Sequence, residues 1–569
     1  MTMDLQRFLL IGAAAVLSFM LLTEWASFKE AKTSASAFSA PRVINNTINT
    51  DVSPTTSDLP QIAPPQSQDD IPQTEPLPEE QSIASPSFTD NSQIIQIHTD
   101  TLQIAIDLNG GDIIELALPN YLEKLDNPDI PLVLLEKNSN RTYIAQSGLV
   151  GPDGIDSQSR AIFTADSASF SMDEDRDSLE VDLHWRSGTG IEVTKRFTLH
   201  RGDYLIDMQY KIENNSNARW QANLFGQIKR DSSADPSAES SGQGMAPFLG
   251  AAITQPDDRF TKFSFSDMAD EPFKAELPGG WIAMIQHYFL SAWIPNPNQS
   301  HVYSTRVTSS GFNIAGFTSP TFTLDPGNSG SVTAQFYAGP KDQYRLQEIS
   351  EYLDLSVDYG WLWWIAQPLF WLLTKIHSLV GNWGAAIMLL TMLIKAGFFK
   401  LSATSYRSMA NMRRVQPKIV DIREQFSDDK QKQSQAMMEL YKKEKINPMG
   451  GCLPILVQMP VFISLYWVLM ESIELRHAPF ILWIDDLSVM DPYYVLPLMM
   501  GASMWFMQKL NPPPPDPMQA KIMQWMPVMF TFFFLWFPSG LVLYWVVNNL
   551  LSMAQQYVIT RQIEAQGSP

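Results

Sequence analysis

Cysteine is almost absent from this chain: Cys452 is the single one among 569 residues. One thiol cannot form an internal disulfide, and it excludes the metal motifs that need several cysteines. The short signatures of common hydrolases and nucleotide-binding enzymes are also missing, since no H-E-x-x-H, G-x-S-x-G or Walker A sequence occurs. No histidine lies in a run predicted below to span the membrane, so the sequence predicts no catalytic residue, no metal site and no cofactor.

Positive charge is scarce in the first two thirds of the chain. Residues 1–360 carry 23 Lys and Arg against 47 Asp and Glu, whereas residues 361–569 carry 17 against 13. A nucleic-acid-binding protein shows a clustered basic face, which this balance does not provide. Opposite net charges on the two parts are typical of a chain divided between compartments. We therefore predict no nucleic-acid binding and a division of the chain by a membrane.

The first apolar run extends from Phe8 to Leu22 and follows Arg7. It fits either a signal-peptide core with a cleavage region at 34–37 or an uncleaved membrane anchor over residues 1–28. We favour the anchor, which makes six spans in all and leaves both termini on one side. Residues 29–92 are rich in Ser, Thr and Pro with only scattered apolar residues. They cannot bury a core, and we predict a disordered tether.

Short runs of alternating apolar and polar residues recur between residues 93 and 340. This period of two, bounded by Gly, Pro, Asn and Asp, predicts half-buried strands. Because little helical periodicity separates them, we predict one large antiparallel β-sandwich domain. No catalytic constellation is recognisable in it. The clearest runs are 103–108, 181–185, 191–199, 204–212, 301–307 and 332–337.

The run at 383–402 is the most informative stretch because it contains Lys395. Roughly 20 apolar residues cross a hydrocarbon core about 30 Å thick, so we predict a membrane span. A lysine inside it costs about 2.5–3.5 kcal/mol on insertion scales. The further predicted spans, at 454–470, 493–510, 522–537 and 540–559, contain no Asp or Glu as counter-ion. Lys395 either snorkels to the cytoplasmic surface or faces water and substrate, and the rest of the chain favours the second interpretation.

The segments between the spans indicate their orientation. Residues 361–380 hold four tryptophans and predict a helix lying in the membrane interface, part of a linker over 341–382. Residues 403–447 hold ten Lys and Arg against six acids, and such an excess marks the cytoplasmic side. We predict a cytoplasmic helical hairpin there, with helices at about 405–425 and 428–445.

The whole pattern predicts a polytopic α-helical membrane protein with a large external β-sandwich domain. Its six spans comprise the N-terminal anchor and a five-helix core within residues 383–560. Residues about 28–382 would lie on the outer side of the membrane, which is the periplasmic side if the resemblance described below holds. Both termini, including a short tail at 561–569, would be cytoplasmic.

Soft and polar side chains are concentrated in the predicted core. Nineteen of the 27 methionines follow residue 360, and flexible thioethers suit surfaces that accept many apolar shapes. Thr391, Gln458 and Thr531 add polar groups to the spans. With Lys395 they suggest a hydrated notch that shortens the apolar path for a polar peptide tail. The alternative is an ion or solute transporter that uses the buried lysine, although no internal repeat supports it.

Four motifs carry a resemblance to a known family: NPMGGCLPILVQMPVF at 447–462, RSMANMRRVQPKI at 407–419, DPYYVLPLMMG at 491–501 and LWFPSGLVLYW at 535–545. Together they resemble the YidC insertase family, in its long form from the inner membrane of Gram-negative bacteria. The resemblance implies an insertase and chaperone for nascent membrane proteins, which works in the lipid bilayer alone or beside the Sec translocon. It also implies a periplasmic β-sandwich and an uncleaved first helix. The hairpin 403–447 could meet a ribosome or the signal recognition particle receptor.

The resemblance also assigns expected roles to particular residues. Lys395 corresponds to the single groove cation, which is commonly arginine in this family. Lysine keeps the charge but lacks the bidentate fork of arginine. The substrate slide would lie between the helices at 454–470 and 522–537. Its expected members are Cys452, Pro454, Met459, Pro460, Phe462, Phe533, Trp536 and Tyr544.

Overall fold

The computed structural model describes residues 94–238, 247–426, 429–444, 453–510 and 517–566. The predicted anchor at 1–28, the tether at 29–92 and Cys452 lie outside these ranges. Within them, a β-domain precedes a series of helices.

Twenty strands make up the β-domain in the described part of the chain. They are β1 Ile94–His98, β2 Gln103–Asp107, β3 Asp112–Leu122, β4 Pro131–Lys137, β5 Thr142–Val150, β6 Thr164–Ala165, β7 Ser169–Ser171, β8 Ser178–Arg186, β9 Ile191–His200, β10 Leu205–Asn214, β11 Trp220–Arg230, β12 Gly250–Ile253, β13 Thr261–Ser264, β14 Lys274–Pro278, β15 Ile282–Ile285, β16 Phe289–Pro295, β17 Ser300–Val307, β18 Asn313–Thr318, β19 Phe322–Leu324 and β20 Ser329–Pro340.

The strands form two sheets around one apolar core. The first has the order β14-β17-β18-β11-β5-β4-β3-β2-β1-β7, with β19 also paired to β11, and the second has the order β13-β12-β15-β16-β20-β10-β9-β8-β6. Pairing is antiparallel except between β1 and β7. Buried residues of both sheets meet in one cluster, which makes the domain a sandwich. All six runs predicted as strands lie in observed strands, so this prediction is confirmed.

Strand β9 shows why the sequence forms this sandwich and where its pattern misleads. Every second side chain from Ile191 to Leu199 is buried, and one of these inward residues is Lys195. Its Nζ donates to the carbonyls of Gly111 at 2.7 Å and Gly110 at 3.2 Å. Burial lowers the pKa of Lys195 to about 7. The alternation therefore holds in the backbone even where the inward side chain is a lysine.

Ten helices belong to the described residues, and eight of them follow the β-domain and its short connecting helix. They are α1 Phe265–Asp270, α2 Gln343–Ile349, α3 Trp363–Val380, α4 Trp383–Gly397, α5 Phe399–Gln425, α6 Lys430–Lys443, α7 Leu453–Glu471, α8 Val495–Leu510, α9 Pro517–Phe533 and α10 Ser539–Gln566. The helix α3 matches the one predicted at 361–380. Its residues Trp363, Trp364 and Trp371, and Trp361 just before it, are each more than half exposed, as expected for a helix at a membrane surface.

The predicted span at 383–402 is not one straight helix. It breaks after Gly397, and α4 and the first part of α5 are bent by 64° relative to each other. Phe398 joins them, with its backbone N–H bonded to the carbonyl of Ile394. Among the described residues, no single helix has both the length and the apolar character to cross a membrane, and this bent pair qualifies only when its two halves are taken together. The six predicted spans are therefore not confirmed.

The β-domain is joined to the end of α7 and to the segment after it by buried polar contacts. Lys341 forms an ion pair with Glu471 at 2.9 Å, and both side chains are buried. The Nε2 atom of His287 lies 3.0 Å from the carbonyl of Met470. Arg476 donates to the backbone of β3 at 2.8 Å. Ile473 adds its side chain to the sandwich core, so this segment is part of the domain's packing.

Glu474 predicts a pH dependence for this attachment. It lies in the short 3-10 helix Ile473–Leu475, and burial, with a smaller effect from the charge of Asp342, raises its pKa to about 7. The docked segment therefore holds a proton that the undocked one releases above its ordinary pKa of 4.5. Because the docked state binds more protons, docking weakens as pH rises through this window and the loss is complete above about 7.

Hydrogen exchange of residues 473–476 in the full-length protein measures this effect. After correction for intrinsic rates, protection should fall between pH 5 and 8, and Glu474→Gln should make the profile flatter. The exposed carboxylate of Glu276 provides the control variant Glu276→Gln, which should behave as the wild type. Identical pH profiles for the wild type and Glu474→Gln would contradict the assignment.

Candidate functional site

The predicted groove cation lies inside the helical region, on α4. This helix begins after Asn382, whose side chain accepts a hydrogen bond from the backbone N–H of Ala385 at 2.9 Å. Lys395 is only 9% exposed, and its Nζ donates to Ser552 Oγ on α10 at 2.8 Å. No ion pair joins Lys395 to a carboxylate in the part of the chain that the structure describes. The partner of this ammonium is therefore a neutral hydroxyl.

Ser552 belongs to a polar strip on α10 that the sequence reasoning missed. Asn549 donates to Ser503 of α8 at 2.9 Å, and Gln556 donates to the carbonyl of Leu510 at 3.3 Å. Ser552 lies three residues after Asn549 and four before Gln556, so the three share one helical face. Polar residues at this spacing within an apolar run were the sequence signal that could have indicated the strip. The strip binds α10 to α8 and holds the acceptor for Lys395.

The predicted polar residues of the groove are mostly satisfied by their own helices. The hydroxyl of Thr391 donates to the carbonyl of Ile387, and that of Thr531 donates to the carbonyl of Pro527, each at 2.7 Å. Gln458 is half-buried on α7. Thr391 is buried on the helix that carries Lys395. Because both hydroxyls already donate within their own helices, neither threonine has a free donor for a substrate in the predicted groove.

Pro527 explains a contact between α8 and α9. A proline inside a helix leaves the carbonyl four residues earlier without its usual donor, and here that carbonyl belongs to Met523. The side-chain amide of Gln508 on α8 donates to it. A freed backbone group is thus satisfied by the neighbouring helix, as required where water is scarce.

The predicted slide residues separate into a packed group and an exposed group. Phe462 of α7 stacks on the buried Tyr544 with ring centroids 6.1 Å apart, and Trp536 is half-buried. Met459 is 44% exposed and Phe533 is 50% exposed. Pro460 is half-buried within α7, Pro454 lies in its first turn, and Cys452 is outside the described residues.

Aromatic rings connect α7 to the end of α9 and to α10. Tyr466 lies 6.0 Å from Phe537 between ring centroids, and Phe462 lies 4.7 Å from Trp545. Phe534 also contacts Trp545, at 5.8 Å. Otherwise α7 packs mainly against α3, and α9 packs against α8. The two helices of the expected slide are therefore linked by aromatic rings in the C-terminal half of α7.

Helix α9 presents a broad apolar surface with no described side chain covering it. Six of its apolar side chains are between 50% and 63% exposed, which is far above the exposure of core residues. Surfaces of this kind mark contact with lipid or with an apolar partner. The exposed residues are Ile522, Trp525, Val528, Met529, Phe532 and Phe533.

Close packing of α8 on α9 depends on Gly501. A methyl group at this position would overlap the hydroxyl of Thr531. We predict that Gly501→Ala lowers stability by about 1–3 kcal/mol, the usual range for overpacking. Thermal unfolding of the full chain in detergent measures this, and Thr531→Ala should restore part of the loss.

The matched control for this prediction is Gly397→Ala. A methyl group there meets no atom within 4 Å, and alanine favours a helix over glycine by roughly 1 kcal/mol. The control should therefore unfold at or slightly above the wild-type temperature. Equal melting temperatures for Gly501→Ala and the wild type would show that the helices separate readily here.

Comparison with known proteins covers the whole chain. The family model described as "YidC periplasmic domain" matches residues 94–372, and the one described as "60Kd inner membrane protein" matches residues 375–566. The membrane protein insertase YidC of Stutzerimonas stutzeri (strain A1501) is 50% identical over 570 residues and matches along 100% of both chains. The protein of the same name from Cellvibrio japonicus (strain Ueda107) is 51% identical over 564 residues, 99% of each chain. The chain therefore belongs to the YidC family of membrane protein insertases, inner-membrane proteins with a periplasmic domain that are not enzymes.

Proposed function

We propose that this insertase works by offering nascent chains an uncompensated positive charge next to adaptable apolar helices. The observation that carries the proposal is the hydrogen bond from Lys395 to the Ser552 hydroxyl. A hydroxyl fixes the position of the ammonium without neutralising it. The charge stays available to acidic groups on an incoming polar tail, and no bond-making step is needed.

The magnitude of this attraction is sufficient to affect insertion. Two unit charges about 10 Å apart interact by roughly 1–2 kcal/mol at an effective dielectric constant near 20. Moving polar and charged groups out of water is the main barrier to crossing a bilayer. An attraction of this size lowers the free-energy barrier enough to raise the rate of crossing about tenfold. It acts on the tail and leaves the apolar segment to the helices.

The apolar segment would be received by the exposed surface of α9 and the exposed part of α7. Met459 and Met529 are both exposed there, and methionine adapts to varied apolar shapes. Dispersion and burial then hold a nascent helix loosely without a sequence-specific pocket. Release into the bilayer follows because lipid offers the same segment an equally apolar environment.

The finer topology belongs to the same proposal. The anchor and the five C-terminal crossings, one of them the bent pair of α4 and α5, would leave both termini cytoplasmic and the β-domain periplasmic. The helices α5 and α6 would then form a cytoplasmic hairpin, which packs around Val415 and Ile419. We propose it as the surface for a ribosome or the signal recognition particle receptor, with the Sec translocon as a second partner.

Replacing Lys395 tests this proposal. Lys395→Ala should slow insertion of a small two-span substrate with an acidic tail by about tenfold, whereas Lys395→Arg should be tolerated because the charge remains. A substrate with a neutral tail should lose much less. The measurement is the inserted fraction in cells depleted of the wild-type protein, at matched protein levels.

Lys375, an exposed lysine of α3, supplies the control variant Lys375→Ala, which should insert both substrates normally. Ser552→Ala keeps the charge and should have a smaller effect than Lys395→Ala. Wild-type insertion of the acidic-tailed substrate by Lys395→Ala would refute the proposed role of the charge.

A further inference from the structure

A cavity of about 240 Å³ lies where the β-domain, the linker and α7 meet. One water molecule needs roughly 10–15 Å³ on this measure, so the space admits a group much larger than water. Phe248 and Phe260 line it from the β-domain, and Trp467 lines it from α7. Lys262, Ser356 and Asp358 complete the wall used in the following argument.

The cavity holds two charged pairs with different exposure. Lys341 and Glu471 are an ion pair with side chains 2% and 7% exposed, and they form a fixed floor. Lys262 and Asp358 are paired with each other, but their side chains are 32% and 36% exposed. The second pair is therefore accessible to a ligand that carries one group of each sign.

An unused donor is present beside these charges. The side chain of Ser356 is buried, and its hydroxyl has no hydrogen-bond partner among the described residues. Its backbone carbonyl accepts from Lys341 Nζ at 3.3 Å. Buried polar groups in native proteins almost always have a partner, and an exception calls for a missing water, ion or ligand.

The position of the cavity indicates the kind of ligand. It lies beside the last turn of α7, and the linker that forms its wall continues directly into Trp361 and α3. Four tryptophans there are each more than half exposed, as in residues that sit at the headgroup level of a bilayer. A ligand entering from that level is a lipid headgroup.

We propose that this cavity binds the headgroup of an aminophospholipid from the outer leaflet of the inner membrane. The phosphate accepts from Lys262 and from the Ser356 hydroxyl, while the primary ammonium donates to Asp358. Lys262 lies over the Phe248 ring at 5.1 Å, which holds the lysine at the cavity wall. The site thus exchanges one internal ion pair for two contacts of matched sign with a zwitterion.

The same geometry discriminates against other headgroups. A choline headgroup has no N–H to donate to Asp358, and a glycerol headgroup has no cation. Either lipid leaves the carboxylate without the charge-assisted bond, which is among the stronger protein hydrogen bonds. We expect phosphatidylethanolamine to bind at least about tenfold more tightly than phosphatidylcholine or phosphatidylglycerol of equal chain length.

The test is a calorimetric titration of the full-length protein in detergent with the dihexanoyl forms of phosphatidylethanolamine, phosphatidylcholine and phosphatidylglycerol. The double variant Lys262→Gln with Asp358→Asn should lose the preference, and Lys262→Arg should keep it. Lys274 and Glu276 are exposed on β14, so Lys274→Gln with Glu276→Gln is the matched control and should bind as the wild type. Thermal unfolding of each variant verifies that it is folded.

Equal affinity for the three lipids, or an unchanged preference in the folded double variant, would overturn the proposal. Free phosphoethanolamine should compete weakly because it lacks acyl chains. Competition as strong as that of the lipid would show a site for a soluble zwitterion and would contradict a headgroup site. The insertion assay on Lys395 variants is independent of this result, so either proposal can fail alone.

Discussion

The structure depends on an ammonium placed among apolar helices with only a hydroxyl for a partner. Lys395 and Ser552 are both buried and lie 2.8 Å apart. Replacing the lysine by an apolar residue would remove the desolvation penalty, and adding a carboxylate would offset it. The chain does neither in its described part. We propose that this charge is retained because an incoming group of opposite sign uses it.

The region opposite the charge is held in a different way. Buried contacts from Lys341, His287 and Arg476 attach the β-domain to the last turn of α7 and to the segment that follows it. Aromatic rings from Tyr466 and Phe537 connect the ends of α7 and α9. These contacts are directional or tightly packed, whereas the exposed faces of α7 and α9 are apolar and adaptable. A fixed end beside an adaptable surface is the arrangement that the proposed lateral release of substrate would use.

Much of the fold follows from the sequence because it rests on local periodicity. Alternation located the strands, and apolar runs located α7 and α8 to within two residues at each end. The runs were less accurate for α9, which begins five residues before the predicted span, and for α10, which continues seven residues beyond it. Lys195 shows the limit of alternation, because a lysine at an inward position contradicts the expected apolar pattern. The structure explains it, since the carbonyls of Gly110 and Gly111 accept hydrogen bonds from its ammonium. The bend at Phe398 has no local signal such as proline, so 383–402 was predicted as a single span. The polar spacing on α10 could have indicated the face that holds Ser552, but the pairing with Lys395, 157 residues away, has no local signal.

We propose that a nascent chain is drawn by Lys395 onto the exposed faces of α7 and α9. Photo-crosslinking from single positions to a stalled nascent chain tests it most directly. Met459 and Phe533 are the test positions, and Leu379 of α3, which is 85% exposed, is the control. We expect strong crosslinks from 459 and 533, little from 379, and a clear reduction at the first two in Lys395→Ala. Equal yields at all three positions, or yields that do not change when the charge is removed, would contradict it.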